Sequence, residues 1–368
     1  MAKRVILAVA GAGKTYHICH NIKKDKKNLI LAYTHENIKN IRKELINAFG
    51  CIPELTTIIT FDAFVYRYLI LPYEPSILRF FQKNNFKTKG ITVKEPESQT
   101  IDNRPNPKYK RKSEIGHYIT PNGLYYCANL SELVMYIKNG RNSLIKRIAN
   151  NLNKFYDEIL IDEFQDFREH DFDLITALAI EIDNITLVGD YNQHSVSAKN
   201  NSGKPFKKGG KDVSYEDFKH TISNLGFEVD ETTLQASRRC PENICKFAQE
   251  KLNIVFSHNN DNKGNVIFLD KNIETILEDS NVMKLVYKNA SKCKFRAMNW
   301  SYSKGDTFDN TCVVLTDKFE KIFNNDFSCC GISQITINQL YVALTRTKGN
   351  LYIIKNSDFK KISNNYLN

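Results

Sequence analysis

The stretch that decides the fold is Arg4-Val5-Ile6-Leu7-Ala8-Val9-Ala10-Gly11-Ala12-Gly13-Lys14-Thr15. Arg4 to Ala10 is an apolar run of strand length, the glycines interrupt it, and Tyr16 to Ile22 can begin a helix. A strand, a glycine loop and a helix opening on Lys-Thr make the phosphate-loop pattern, with Ala8 where its first glycine usually stands. Gly11, Ala12 and Gly13 let backbone N–H groups curl round a phosphate at a helix N-terminus, where the helix dipole also favours negative charge. In that reading Lys14 reaches the β and γ phosphates and the Thr15 hydroxyl ligates Mg²⁺. The alternative is a chance glycine-rich turn. An α/β fold with parallel sheets is the predicted class.

Two further strands carry polar tips. Tyr156 to Ile161 reads as a buried strand ending in Asp162-Glu163-Phe164-Gln165-Asp166. At such a tip Asp162 suits Mg²⁺ held through water, and Glu163 suits polarising an attacking water. Ile185 to Val188 stops at Gly189-Asp190-Tyr191-Asn192-Gln193, which brings the Gln193 amide toward a γ-phosphate. Ligands of open α/β sheets lie beyond the carboxyl ends of strands, so three polar tips describe one site.

Composition narrows the classes. The 368 residues are 42% hydrophobic, ordinary for a folded globular chain. Lys plus Arg number 52 against 41 Asp plus Glu, and the resulting +11 favours a polyanionic partner such as nucleic acid. The nine cysteines are scattered apart from Cys329-Cys330 and show no metal-binding spacing, which predicts reduced thiols in a cytoplasmic protein. The apolar run from Val5 to Ala10 ends before a signal peptide or a membrane span could form, so no membrane association is expected.

Taken in order, these blocks resemble the UvrD/Rep class of superfamily 1 helicases from Ala8 to about Ile354. Ala8 to Thr15 is followed by Leu29 to Leu45 (LILAYTHENIKNIRKEL), Thr60 to Phe64 (TFDAF), DEFQD and GDYNQ. Then come Leu234 to Ile244 (LQASRRCPENI), Ser303 to Asp309 (SKGDTFD) and Tyr341 to Lys348 (YVALTRTK). The resemblance implies two RecA-like P-loop lobes, ATP and Mg²⁺ in the cleft, and single-stranded DNA, or RNA, crossing both lobes. It implies that Arg239 and Arg346 reach the γ-phosphate, where a guanidinium neutralises charge on the transferring group. It also places Gly305 at the nucleotide, and Thr34, Phe64, Tyr191 and His194 at the nucleic acid. The implied activity is ATP-driven 3′-to-5′ translocation or unwinding.

The chain departs from the family at several points. The few residues before Arg4 contain no counterpart of the family's adenine-reading glutamine segment, so base selectivity is unassigned. Asp306 and Thr307 stand where the family has Leu and a ribose-binding Glu, which hands sugar recognition to Asp306 or weakens it. After Gln193 the family's base-stacking aromatic is replaced by His194-Ser195-Val196-Ser197-Ala198. A lost stacking platform matters for grip, at about 1–3 kcal/mol per base.

The expected organisation is a first lobe from 1–72 and 151–232, a small accessory insertion at 73–150, and a second lobe at 233–368. Within the insertion, Pro105 to Lys112 reads as a mobile basic loop suited to phosphate contact. Lys199 to Lys211 (KNNSGKPFKKGGK) reads as a second flexible basic segment, a clamp or a linker. Only some sixty residues separate LQASRRCPENI from SKGDTFD, about too few for the family's large second accessory domain. Two rival readings remain: an ATPase switch or loader serving a nuclease or replication protein without unwinding, and a small-molecule P-loop phosphotransferase. The latter leaves the two arginine blocks unexplained.

Overall fold

The computed structural model describes residues 2–83, 87–137, 144–194 and 203–367. It shows the α/β class with parallel sheets that the opening stretch predicts. Two compact units are present, residues 1–5, 15–188 and 196–229 in one, and residues 6–14, 189–195 and 230–368 in the other.

The first sheet has six strands in the order Glu228–Asp230, Ala2–Leu7, Asn184–Gly189, Glu158–Asp162, Asn28–Ala32, Thr56–Thr60. Strand β1 is Ala2–Leu7, β2 is Asn28–Ala32 and β3 is Thr56–Thr60. Strand β2 pairs in parallel with β3 and with Glu158–Asp162, which itself runs parallel to Asn184–Gly189. All five residues of β2 are buried, as expected for a parallel strand covered on both faces, where apolar runs replace alternation. Its one polar member, Asn28, donates its side-chain amide to the carbonyls of Lys23 and Lys26, closing the turn that feeds the strand.

Helix α1, Lys14–Asn21, follows β1 through the glycine loop. Helix α2, His35–Phe49, follows β2. Thr34 caps α2 by accepting from the Asn37 N–H, and Gly50 ends it at φ +78°, donating to the Ile46 carbonyl. Capping chemistry in the sequence thus sets where the chain leaves the sheet and returns.

The insertion holds short elements only. Gly90–Thr92 pairs with Leu124–Tyr126, and Thr100–Ile101 pairs with Arg104–Pro105. The run expected to be a mobile loop is anchored instead. Asn106 is buried, donates to the Ser98 carbonyl and Glu97 carboxylate, and accepts from the Lys108 N–H. Further on, Lys112 pairs with Glu132. A single buried Asn satisfying three neighbours holds a segment that composition alone reads as loose. Of the second basic segment, residues 199–202 lie outside the described residues. From 207 on it forms a small hairpin, Lys207–Lys208 against Lys211–Asp212.

The second unit is built on a five-stranded sheet, ordered Val266–Leu269, Leu351–Ile354, Asn310–Val314, Val282–Val286, Ala297–Asn299, with all four pairings parallel. Its core on one face gathers Ile273, Leu277, Val282, Val286, Cys312, Val314, Ile354 and Phe359. Among the described residues, no helix is long and apolar enough to cross a membrane.

Candidate nucleotide site

In the first unit, the site begins where α1 meets the strand Glu158–Asp162. The Thr15 hydroxyl donates to Asp162 Oδ2 at 2.8 Å. Asp162 is 1% exposed, and its other oxygen accepts the Glu163 N–H at 2.9 Å. Glu163 then adopts φ +58°, a left-handed conformation that a non-glycine residue takes only under local constraint. The Asp162 and Glu163 carboxylates take different partners, Asp162 the Thr15 hydroxyl and Glu163 the Gln165 amide. The fully buried Gln165 donates its side-chain amide to Glu163 Oε2, fixing that carboxylate. Sequence reasoning left Gln165 inside the DEFQD block without a role.

The donor set fits a magnesium ion. A hydroxyl and a carboxylate in direct contact are hard oxygen donors, and Mg²⁺ takes one or two protein oxygens beside phosphate and water. Among the described residues, no group of three or more His, Cys, Asp or Glu could cage a metal by itself. Thr15 and Asp162 are therefore the residues that would hold it. Burial, then the Asp162 and Glu44 carboxylates, push the nearby Cys19 thiol up to about 12.

In the second unit the glycine loop is gripped along its length. The Ala8 N–H donates to the Gly189 carbonyl and the Val9 N–H to that of Leu234. The Arg238 N–H donates to the Gly11 carbonyl at 2.8 Å, and Gln235 Nε2 to the Leu7 carbonyl at 2.7 Å. Gly11 sits at φ +73°, and a Cβ there would lie 2.7 Å from both Arg239 Cβ and Ser237 Oγ. Only glycine fits this approach. Gly13, at φ +85°, turns the chain into α1, whose first N–H groups lack helical acceptors and are the donors an anion would meet. Lys14 opens that helix and is 9% exposed, and Ala12 is 2% exposed with its N–H on the Val9 carbonyl.

The other candidates of this unit are held by their own neighbours. Gln193, buried, donates its amide to Asp190 Oδ2 at 2.7 Å. Arg239 is half-buried and donates from Nη1 to the Thr345 carbonyl at 3.1 Å. Arg346 is 1% exposed, with Nε on the Val342 carbonyl at 2.8 Å and further contacts to the Ser303 carbonyl and Thr345 hydroxyl. Gly305 lies exposed at φ +92° with open space around it, next to exposed Asp306.

The residues expected at nucleic acid divide sharply. Thr34 is exposed at the N-terminus of α2, beyond the carboxyl end of β2. Phe64 is 1% exposed and packs against Phe61 and Tyr68. Tyr191 and His194 are 6% and 4% exposed, and the His194 carbonyl accepts from Asn338. None of these three rings presents a face to a base in this structure. The side chains that the family resemblance placed at nucleic acid are packed into the core instead.

Other aromatic and basic groups lie at the surface. Tyr16, directly after Thr15, is 44% exposed and stacks on His20 with ring centroids 3.7 Å apart. In the second unit, a cavity of about 530 Å³ lies at the carboxyl ends of Val282–Val286 and Asn310–Val314. Tyr287, Lys288, Thr316, Lys318 and Asn356 line it. Neither carried a motif that sequence reading could use.

A buried polar network joins three sequence blocks in the first unit. Arg168 bridges Asp62 of TFDAF and Asp171, Tyr33 of the LILAYTHEN block donates to Asp171, and Ser131 donates to Asp171 at 2.6 Å. Burial raises the Asp62 pKa even though Arg168 opposes it, so the network is a constrained one.

Residues 76–195 match the UvrD/REP helicase N-terminal domain family, covering DEFQD and GDYNQ but not the glycine loop or the two arginine blocks. No curated protein sequence matches the chain. Among solved structures it is similar to the PRRSV helicase, at 14% identity and TM-score 0.44, over 96% of this chain and 52% of that one. It is similar to the arterivirus nonstructural protein 10 helicase in complex with DNA, at 13% identity and TM-score 0.48, over 97% and 61%. The same arterivirus protein without DNA gives 13% identity and TM-score 0.47, over 95% and 59%. The chain thus spans between half and two-thirds of the length of the helicases it matches.

Proposed function

We propose that this chain is a UvrD-like superfamily 1 helicase that binds MgATP at Lys14, Thr15 and Asp162 and couples its hydrolysis to movement along single-stranded DNA, with RNA as the alternative track. The observation that carries the reading is the Thr15–Asp162 hydrogen bond, because it joins the phosphate-loop helix to the acidic strand tip. Bound Mg²⁺ would supply charge neutralisation between the β and γ phosphates. Lys14 and the first amides of α1 bind the phosphates, Glu163 orients and deprotonates the attacking water, and Gln165 holds Glu163 in place. Gln193 senses the γ-phosphate, Arg239 and Arg346 neutralise charge as it transfers, and Gly305 borders the nucleotide. Tyr16 offers a stacking face for the nucleobase.

On this reading 1–72 and 151–232 form one RecA-like lobe, 73–150 an accessory insertion and 233–368 the second lobe. Movement runs 3′ to 5′, and Thr34 with the Lys288 cavity contacts the strand. The test is ATP turnover measured with single-stranded DNA, RNA and duplex ends, where a ranking led by one single strand names the track. A flat ranking, with no stimulation, would remove nucleic acid from the mechanism.

The burial of Phe64, Tyr191 and His194 favours a second reading, an ATPase switch that loads onto nucleic acid for a nuclease or replication partner. Strand displacement separates the two. Stimulated hydrolysis without displacement or translocation supports the switch.

A further inference from the structure

Tyr341 lies in the helix Gln334–Leu344, fully buried, and its phenol oxygen accepts the Ala10 N–H at 2.8 Å. Ala8, Val9 and Ala12 of the same loop donate to main-chain carbonyls, which any sequence could provide. Ala10 instead donates to a side chain, so this tie depends on the identity of residue 341.

The tie continues toward the arginines. The Tyr341 carbonyl accepts from the Thr345 hydroxyl at 2.8 Å, and that hydroxyl also accepts from Arg346 Nη2 at 3.3 Å. The Thr345 carbonyl accepts from Arg239 Nη1 at 3.1 Å. One hydrogen-bonded path therefore runs from the phosphate loop through Tyr341 and Thr345 to both arginines. The tyrosine ring is seated edge-on against Phe256, with centroids 5.7 Å apart. Burial and the Asp190 carboxylate raise its pKa well above the ordinary value, so it stays a neutral acceptor.

We propose that Tyr341 is a positioning residue for ATP turnover, its hydroxyl setting the phosphate loop at Ala10 in register with Thr345, Arg239 and Arg346. The proposal rests on the nucleotide site described above. Removing the oxygen leaves the buried Ala10 N–H without its acceptor, and the loop must shift to find another.

The experiment is steady-state ATP hydrolysis by the full chain with MgATP and single-stranded DNA. Tyr341→Phe should lower kcat/KM for ATP about ten-fold. In an Arg346→Ala background the same change should cost less than about two-fold, because the register it maintains has lost its object. A packing control, Phe256→Leu, should lower Tm while leaving kcat/KM within about two-fold of wild type. Unchanged kcat/KM in Tyr341→Phe overturns the proposal. So does an equal loss in the Arg346→Ala background, or a ten-fold loss from Phe256→Leu. Lys14→Ala is run alongside. If it matches wild type, the nucleotide site falls and this role with it, whereas a silent Tyr341→Phe beside an inactive Lys14→Ala removes the positioning role alone.

Discussion

The Thr15 hydroxyl donates to Asp162 at 2.8 Å across 147 positions of sequence. The contact brings the start of α1 and the tip of the strand Glu158–Asp162 into one oxygen-lined corner within the first unit. A divalent ion held there would replace a hydrogen bond between two oxygens that are already side by side. Little rearrangement is needed.

Lys14→Ala is expected to abolish tight ATP binding, because a methyl group cannot neutralise the β and γ phosphates that the ammonium meets. Equilibrium binding of ATP to the folded variant checks this, and wild-type affinity would withdraw the phosphate-loop assignment.

Glu163→Gln should keep ATP bound while turnover falls by about 10² or more, since an amide has the shape of the carboxylate but accepts a proton poorly. Gln165→Leu should give an intermediate loss with affinity retained, because it frees the Glu163 carboxylate from the amide that orients it. Single-turnover hydrolysis measures both. Full activity in Glu163→Gln would move the base elsewhere.

Arg346→Ala carries two expected effects. DNA-stimulated turnover should fall by about 10³ through lost charge stabilisation. Tm should fall as well, by the equivalent of about 2–3 kcal/mol, because the guanidinium is buried on the Val342 and Ser303 carbonyls. Calorimetry and ATPase rate separate the two. A loss of Tm with near-normal stimulated turnover would make Arg346 a structural arginine.

The insertion should be sensitive to acid. Glu132 is buried, which alone would raise its pKa, but hydrogen bonds from His117, His170 and Lys112 outweigh burial and hold it well below the ordinary 4.5. A depressed carboxylate contributes stability that is full above its unfolded pKa and is lost progressively as pH falls from there through its folded pKa. The Tm gap between wild type and Glu132→Gln should therefore be widest near about pH 6 and narrow below about pH 4.5. A gap that is constant with pH would mean that ionisation of Glu132 contributes nothing.

Nucleic-acid affinity should fall steeply with salt as Lys and Arg release counterions from phosphates. Log K plotted against log salt gives the number of contacts. Removing the charges of Lys288 and Lys318 together should reduce the slope by roughly 1–2, and an unchanged slope would take the second unit's cavity out of the binding path.

Much of the fold was legible because a parallel strand covered on both faces is written as an apolar run with a polar end. Asn28–Ala32, Glu158–Asp162 and Asn184–Gly189 all follow that rule. Glycine positions were equally readable, since Gly11 and Gly13 adopt conformations that side chains resist.

What the sequence by itself determined, then, is the order of strands and turns and the chemical types gathered at their ends, because backbone periodicity and loop sterics are local. Tertiary structure alone decided which side chains are spent on the fold. Phe64, Tyr191 and His194 have the chemistry to stack on bases, yet each is buried in the fold. Arg346 is gripped by carbonyls of its own unit, and the Ala10 N–H finds its acceptor 331 positions away in Tyr341. Burial and hydrogen-bond pairing depend on what the rest of the chain brings alongside, and no local pattern encodes that.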